Sequence, residues 1–353
     1  MRIVFDASCK SRVGGPSLND NLYTGPTITS SLLDVLLKLR ARNYVISADI
    51  EKAFWQIGLS PDDKNYVRFL WFKDTNNLDF ENFDNNELIE LRFNRVIFGL
   101  NSSPFLLQGT LQKHIETHCE NEIKEKLKGA LHVDDLNSGT KTIKEAETLY
   151  LKSKECLKAG GFNLRKFRSN SQQLEERIFE TSPDDKKYSG DNKILGINWV
   201  KETDKIKFDF REICSKFNEK PTKRSVLASV ASIFDPLGLI SPITVKMKTF
   251  YQDICDLKYK WDEELPYELT SQWDVMLKEL CEIECIELDR NYCFDDPTDP
   301  IKTVQIHGFS DASEKMIAAS IYVRFQLESG KTKTALVISR NRLFPPMLKN
   351  LRK

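Results

Sequence analysis

A chain of 353 residues that is 40% hydrophobic and carries 21 Phe and 5 Trp can bury the cores of two or three domains, which excludes a disordered protein. Lys+Arg and Asp+Glu stand at 52 each, so a uniformly basic nucleic-acid binder is excluded; yet residues 262–299 hold 13 acidic and 2 basic side chains, which leaves the remainder net basic enough to follow a phosphate backbone. Eight scattered Cys form no dense framework, no apolar span reaches membrane length, and the expectation is reduced thiols in an intracellular protein, in a cytoplasmic particle or the nucleus.

The spacing predicts an amphipathic helix over 29–42, with Leu32, Leu33, Leu36 and Leu39 on one face. It feeds the strand Tyr44-Val-Ile-Ser-Ala-Asp49, whose apolar run ends in an acid. Residues 65–72 and 88–98 read as a strand pair, and the Asn- and Asp-rich 74–87 as a long polar loop between them. Gly99 permits positive φ and close backbone approach; Ser103-Pro104 opens a helix, with Ser103 at the cap and an N–H-rich end suited to phosphate. Leu131-His-Val then leads into Asp134 and Asp135. Thr142 and Glu145 form a capping box for a helix through Ala159, which Gly160-Gly161 stops.

This β-α-β-β-α-β order brings Asp49 beside Asp134, although they are far apart in the chain. Beyond Gly196 the pattern turns helical, with Val226, Leu227, Val230 and Phe234 on one stripe and Ile243, Met247, Phe250 and Ile254 on the next. Strands are predicted over 304–309, 316–327 and 332–338.

Gathered carboxylates repel one another and are costly to desolvate, so a trio such as Asp49, Asp134 and Asp135 calls for a cation. Oxygen ligands with part of the coordination shell left open suit Mg²⁺, or Mn²⁺ in its place. Two such ions about 3.5–4 Å apart can hold the attacking and leaving oxygens of a phosphoryl displacement.

The segments around these acids resemble the reverse transcriptases of BEL/Pao-type LTR retrotransposons, over nearly the whole chain and in the expected order. Arg2-Ile-Val-Phe-Asp-Ala-Ser8 resembles a fingers strand, and Ser47-Ala-Asp49-Ile-Glu-Lys-Ala-Phe54-Trp55-Gln56 the first catalytic motif. Phe98-Gly99-Leu-Asn-Ser-Ser103-Pro104-Phe is similar to the second, and His132-Val-Asp134-Asp135 to the third. Gly160 to Lys166, Ile194 to Trp199 and Ile233 to Pro242 are similar to later phrases of the same group.

The resemblance implies an α+β right-hand polymerase. Residues 1–200 would form fingers and a ferredoxin-like palm, 201–300 a mainly helical thumb and connection, and 301–353 the start of an RNase H-like sheet. It implies an RNA-directed DNA polymerase, part of a Pol polyprotein, that joins a dNTP to a primer 3′-hydroxyl on an RNA or DNA template. Asp49, Asp134 and Asp135 would hold two Mg²⁺, and Lys166 would protonate the leaving pyrophosphate. Arg2 would clamp the triphosphate, and Gly99, Ser103 and Pro104 would border the nucleotide. Phe54 would exclude a 2′-hydroxyl, against the plainer reading of a core aromatic. His132 stands where the group most often has Tyr, so altered activity is expected.

Ser310-Asp311 resembles the first RNase H carboxylate, with Asp311 a metal ligand. After it only Glu314 and Glu328 follow and neither lies in a matching motif, so no RNase H activity is expected, and the terminal piece is expected to be poorly stable.

A second reading is a decayed or co-opted copy that binds nucleic acid or a partner protein without polymerising. A palm-type nucleotide cyclase explains neither the Gly99 nor the Trp199 segment. Cys281 and Cys285 lie four apart in a helical stretch with Cys293 beyond it, and His114, His118 and Cys119 form another helix-spaced set, but neither has the paired short spacings of a structural zinc site.

Overall fold

The computed structural model describes residues 5–10, 14–187, 193–215, 220–293 and 298–344, so Arg2 lies outside the described residues. The short α1 (Leu18–Asn21) is followed by α2 (Leu32–Arg40), which buries Val35, Leu36 and Leu39 on one side. After α2 comes β1 (Tyr44–Ile50), and six of its seven residues run Val-Ile-Ser-Ala-Asp-Ile behind Tyr44, all buried except Asp49. A near-continuous buried strand needs cover on both faces. Its neighbours supply that cover.

The next hairpin pairs β2 (Arg68–Phe72) with β3 (Leu88–Arg92), within the predicted ranges. Phe69 stacks on Phe93 at 4.6 Å, and Phe5 meets the same ring edge-on at 4.7 Å. The polar connection is held by its own side chains: the Asp79 carboxylate accepts from the backbone N–H groups of Glu81 and Asn82 and from the Asn85 amide.

Then α3 (Ser103–His118) and α4 (Asn121–Lys128) lead to β4 (Leu131–His132) and β5 (Asp135–Thr140), followed by α5 (Ile143–Ala159) and β6 (Leu164–Ser169). The palm sheet is antiparallel, in the order β4-β5-β1-β6. Leu107, Leu111 and Ile115 on α3 are fully buried against it. They repeat every four residues, and each contributes about 2 kcal/mol by leaving water. Thr142 caps α5 by accepting from the Glu145 N–H at 3.2 Å, and Gly160 ends it. The Glu145 carboxylate reaches the Lys141 N–H instead of closing the box on Thr142.

Reduced thiols are not what the structure shows at one pair. Cys119, at the end of α3, and Cys156 on α5 form a disulfide with a Cα–Cα distance of 5.5 Å. Two helices packed on one sheet face bring these side chains together, which sequence spacing could not reveal.

Beyond the palm, α6 (Gln172–Thr181) precedes a second sheet. It is built from β7 (Lys193–Ile194), β8 (Ile197–Val200) and β9 (Lys205–Asp209) with a later strand, β10, in the order β10-β9-β8-β7. Next come α7 (Arg211–Cys214), α8 (Lys223–Ser232), α9 (Ser241–Asp256) and α10 (Tyr267–Ile283), then β10 (Cys285–Asp289). Cys285 therefore opens a strand and is not on the helix of Cys281, because Glu284 takes a left-handed φ of +56° that ends α10. Leu36, Leu39 and Val45 share one core with Trp199, Phe250 and Trp273, so palm and helical region are packed as one body.

The last sheet is a meander of β11 (Ile301–Ala312), β12 (Met316–Leu327) and β13 (Thr332–Leu343). Its last strand is docked on the rest of the chain, while β11 is exposed along its whole length. The Ser339 N–H donates to the Leu237 carbonyl at 2.9 Å, Gln252 donates to the Phe344 carbonyl at 2.6 Å, and the Arg40 guanidinium donates to Val337 and Leu336 at 2.7 and 3.2 Å. The Ser339 N–H and the Leu336 and Val337 carbonyls of β13 are thus bonded by residues outside its own sheet. Among the described residues, no helix is long and apolar enough to cross a membrane.

A polar knot fixes the base of β1. Arg290, 1% exposed, donates to both Asp204 carboxylate oxygens at 2.6 and 2.7 Å, to the Arg42 carbonyl at 2.8 Å and to the Leu39 carbonyl. Asn170 joins it, accepting from the Val45 N–H at 2.9 Å and donating to Asn43 and Asp204. Removing one partner of a buried pair strands the other. Arg290→Met should therefore cost about 3 kcal/mol of unfolding free energy by denaturant titration, the lower end for such pairs.

Candidate active site

The three acids arrive by register. On β1 and β5, Asp49 stands directly opposite Asp135, two rungs above the pair Ser47 and Asn137 and on the same face. Opposed residues of an antiparallel pair share a sheet face. Asp134 lies in the two-residue turn Val133-Asp134 between β4 and β5, and its carbonyl accepts from the Ile50 N–H at 2.8 Å, which ties the turn to the catalytic end of β1.

Across β1, the strand β6 carries a bulge: Ser47 pairs with Arg168 but Asp49 with Arg165, so β6 has one extra residue. Lys166 sits in that bulge with φ +60° and donates to Asp49 Oδ2 at 2.5 Å. Glu51 and Arg165 make a second ion pair alongside, at 3.1 Å.

Asp49 and Lys166 form a wall shared by two clefts. One, of about 220 Å³, also contains Asp135, Asn137, Arg168 and Gly196; the other, of about 340 Å³, also contains Glu51, Lys52, Arg165 and Asp184.

Burial, with the repulsion of Asp134 and Asp49 added to it, pushes the Asp135 carboxyl up to about 6. Asp134 is raised for the same leading reason, with Asp49 adding to it and Lys166 and His132 opposing. An excess of buried negative charge is the condition a divalent cation relieves, and hard carboxylate oxygens are its preferred donors. Among the described residues, however, no three His, Cys, Asp or Glu side chains already stand as a ready metal cage. Asp49 is turned to Lys166, so the donors suit the ion in chemistry while a cage requires that carboxylate to swing.

The remaining expected residues fall as follows. Phe54 is 6% exposed, part of the palm core, and meets Phe98 edge-on at 4.8 Å; it lines neither cleft. Gly99 takes φ +91°, and a Cβ there would come within 2.7 Å of the Phe5 carbonyl oxygen. Ser103 is not the cap: Ser102 holds that position, and the buried Ser103 hydroxyl donates to the Ile97 carbonyl at 2.6 Å. Pro104 does occupy the first turn of α3. The His132 ring is half-buried, with Nδ1 3.0 Å from the Ser30 carbonyl. Asp311 lies on the exposed β11, far along the chain from the trio, in a cavity of about 580 Å³ that it shares with Arg340 and Arg342 and no second acid.

Sequence reasoning missed Glu51, Lys52, Asp184, Gln108 and Asn137. Glu51 was within reach, two positions after Asp49 in the turn that follows β1; Asp184 reaches its cleft only through tertiary packing. Left-handed backbone also concentrates here. Of seven non-glycine residues with positive φ among those described, Lys52, Val133, Lys166 and Leu195 line or adjoin these clefts. Such conformations persist only where surroundings enforce them, and they gather at working sites.

This acid-tipped antiparallel sheet lies within a segment that matches a polymerase family. Residues 11–175 match the family described as reverse transcriptase (RNA-dependent DNA polymerase), and residues 222–351 the Pao retrotransposon-like RNaseH-like domain. Together the two matches support a Pao/BEL-type reverse transcriptase with the start of an RNase H-like region.

Among solved structures it is similar to the foamy viral protease-reverse transcriptase dRH in complex with ds DNA, with a TM-score of 0.54 and 13% identity over 95% of this chain and 49% of that one. The foamy viral protease-reverse transcriptase in complex with an RNA/DNA hybrid gives a TM-score of 0.50 and 14% identity, over 92% and 37%. The chain thus spans half or less of the solved proteins it resembles. No curated protein matches it.

The raised Asp135 carboxyl has a signed consequence. Between the ordinary carboxylate value of 3.8 and about 6, the folded state binds more protons than the unfolded chain, so stability falls as pH rises through that window. Asp135→Asn should stabilise the metal-free protein by about 2 kcal/mol at neutral pH, after discounting for partial exposure. The gain should vanish near pH 4, as read by thermal unfolding against pH.

Proposed function

We propose that the chain is the RNA-directed DNA polymerase portion of a Pao/BEL-type Pol polyprotein. It would extend a primer 3′-hydroxyl with dNTPs on an RNA or DNA template. Residues 1–200 would act as fingers and palm, 201–300 as thumb and connection, and 301–353 as the opening of an RNase H-like domain. The observation that carries the reading is the register of Asp49 against Asp135 with Asp134 beside them, within the segment that matches the reverse transcriptase family.

Asp49, Asp134 and Asp135 would hold two Mg²⁺, or Mn²⁺ in their place. When bound, the ions supply charge stabilisation to the attacking and leaving oxygens. The chain's own residues do the positioning. Lys166 leaves Asp49 as the site fills, and its ammonium, already at the cleft wall, is placed to give a proton to the departing pyrophosphate. Lys52 and Arg165 add positive charge on the same wall, suited to phosphate oxygens. The ring of Phe54 would act on the sugar through the half-exposed Phe98 that it supports.

Asp311, facing two arginines without a second acid, does not support hybrid-RNA cleavage by these residues. One observation favours the non-catalytic reading: the Lys166–Asp49 pair stands where a cation is needed.

Primer extension on RNA and DNA templates separates the two. Incorporation of dNTPs that requires Mg²⁺ or Mn²⁺ and falls at least about a hundredfold in Asp134→Asn, the scale of losing charge stabilisation in a transition state, is the expected result. A wild-type chain that binds template-primer but adds no nucleotide would establish the non-catalytic reading.

A further inference from the structure

The turn that presents Asp134 and Asp135 is built from an unsuitable residue. Leu131 pairs with Leu136 and His132 with Asp135, leaving Val133-Asp134 as a two-residue hairpin connection. Its first position has φ +57°, the geometry that such a turn reserves for glycine. In a β-branched residue this backbone is a true outlier, and something outside the turn must hold it.

The structure shows what does so. From α3, the side chain of Gln108, 3% exposed, donates its amide Nε2–H to the Val133 carbonyl at 2.6 Å. Gln108 lies between Leu107 and the second buried turn of α3, so the helix fixes its position. The neighbouring restraint, from the Ile50 N–H to the Asp134 carbonyl at 2.8 Å, acts on the other residue of the turn. One hydrogen bond from α3 thus addresses the carbonyl of the left-handed residue itself.

We infer that Gln108 is a positioning residue of the polymerase site: its amide holds Val133 in the left-handed turn that aims the Asp134–Asp135 pair at Asp49. The inference rests on the polymerase reading for its catalytic consequence, and on this geometry alone for its effect on the carboxylates. Without the donor, Val133 relaxes toward ordinary β or right-handed backbone and the carboxylates lose their common face. Glycine at 133 would adopt the turn unaided, and because it also gives up the Val133 side chain packed against the core, recovery in the double variant would have to come from the turn.

The experiment uses the full 353-residue chain with four sequences: wild type, Gln108→Met, Val133→Gly and the double variant. Methionine keeps the volume of Gln108 and removes the donor. Three quantities are measured for each: thermal midpoint, Mn²⁺ affinity by titration calorimetry, and kcat and KM for single-nucleotide primer extension. Gln108→Met should weaken Mn²⁺ binding and lower kcat, each about tenfold, the scale of one lost buried hydrogen bond, with KM for the dNTP little changed. The double variant should recover both to within about threefold of wild type, because glycine carries no penalty at positive φ.

A Gln108→Met protein that binds Mn²⁺ as wild type does would overturn the inference. So would a defect that Val133→Gly leaves unrepaired, since loss of packing is not cured by a change in turn propensity. If the wild type fails to extend a primer while the affinity pattern follows the expected order, the polymerase reading falls and the assignment of Gln108 stands.

Discussion

Crowding of negative charge at one end of an antiparallel sheet is the constraint on which this molecule depends. The pairing of β1 with β5 sets Asp49 against Asp135, and the hairpin adds Asp134. Backbone hydrogen bonds are what force these groups together, and burial then raises the cost of their charge. The protein answers with cations of its own. The bulge at Lys166 exists in a strand that could have paired regularly, and its effect is to bring an ammonium onto Asp49. A metal bound here would compete with that ammonium for one carboxylate.

The same constraint explains why strain collects around the acids. Lys52 opens the short turn that follows β1, Val133 turns the hairpin, Lys166 sits in the bulge and Leu195 lies in the turn of the neighbouring β7–β8 hairpin, all with positive φ. Each redirects a side chain or a loop toward the clefts beside Asp49. The energy to hold them comes from packing elsewhere: the fully buried stripe of α3, the shared core of α2 and α9, and the Arg290–Asp204 knot at the far end of β1. Rigid support at the base of β1 leaves its tip free of structural duty.

Much of the architecture was legible because local chemistry and tertiary context agree. Thr142 and Gly160 bracket α5 as capping physics requires, and the leucines of α2 mark its buried face. The strands of the terminal sheet lie where they were expected: β12 has the bounds read for it, while β11 and β13 extend further. Where the sequence misled, partners distant in the chain decided the outcome. Ser103 is drawn into the Ile97 carbonyl and yields the cap to Ser102. The Cys119–Cys156 bond needs two helices on one sheet face. Docking of β13 relies on Arg40, whose reach across the molecule no spacing encodes. The acids themselves were findable because strand tips ending in Asp are rare in buried runs. The bulge, Gln108 and the unequal clefts were not, since they depend on how elements pack.

The central claim is that Asp49, Asp134 and Asp135 close together on divalent ions once Lys166 withdraws. Crystals of the chain with template-primer, soaked in Mn²⁺ and measured at the manganese edge, test this most directly. The account predicts anomalous density touching Asp49 and the hairpin acids, with the Lys166 ammonium displaced from Asp49. Density absent from this cleft, with the Lys166–Asp49 pair intact beside a bound primer end, would contradict it.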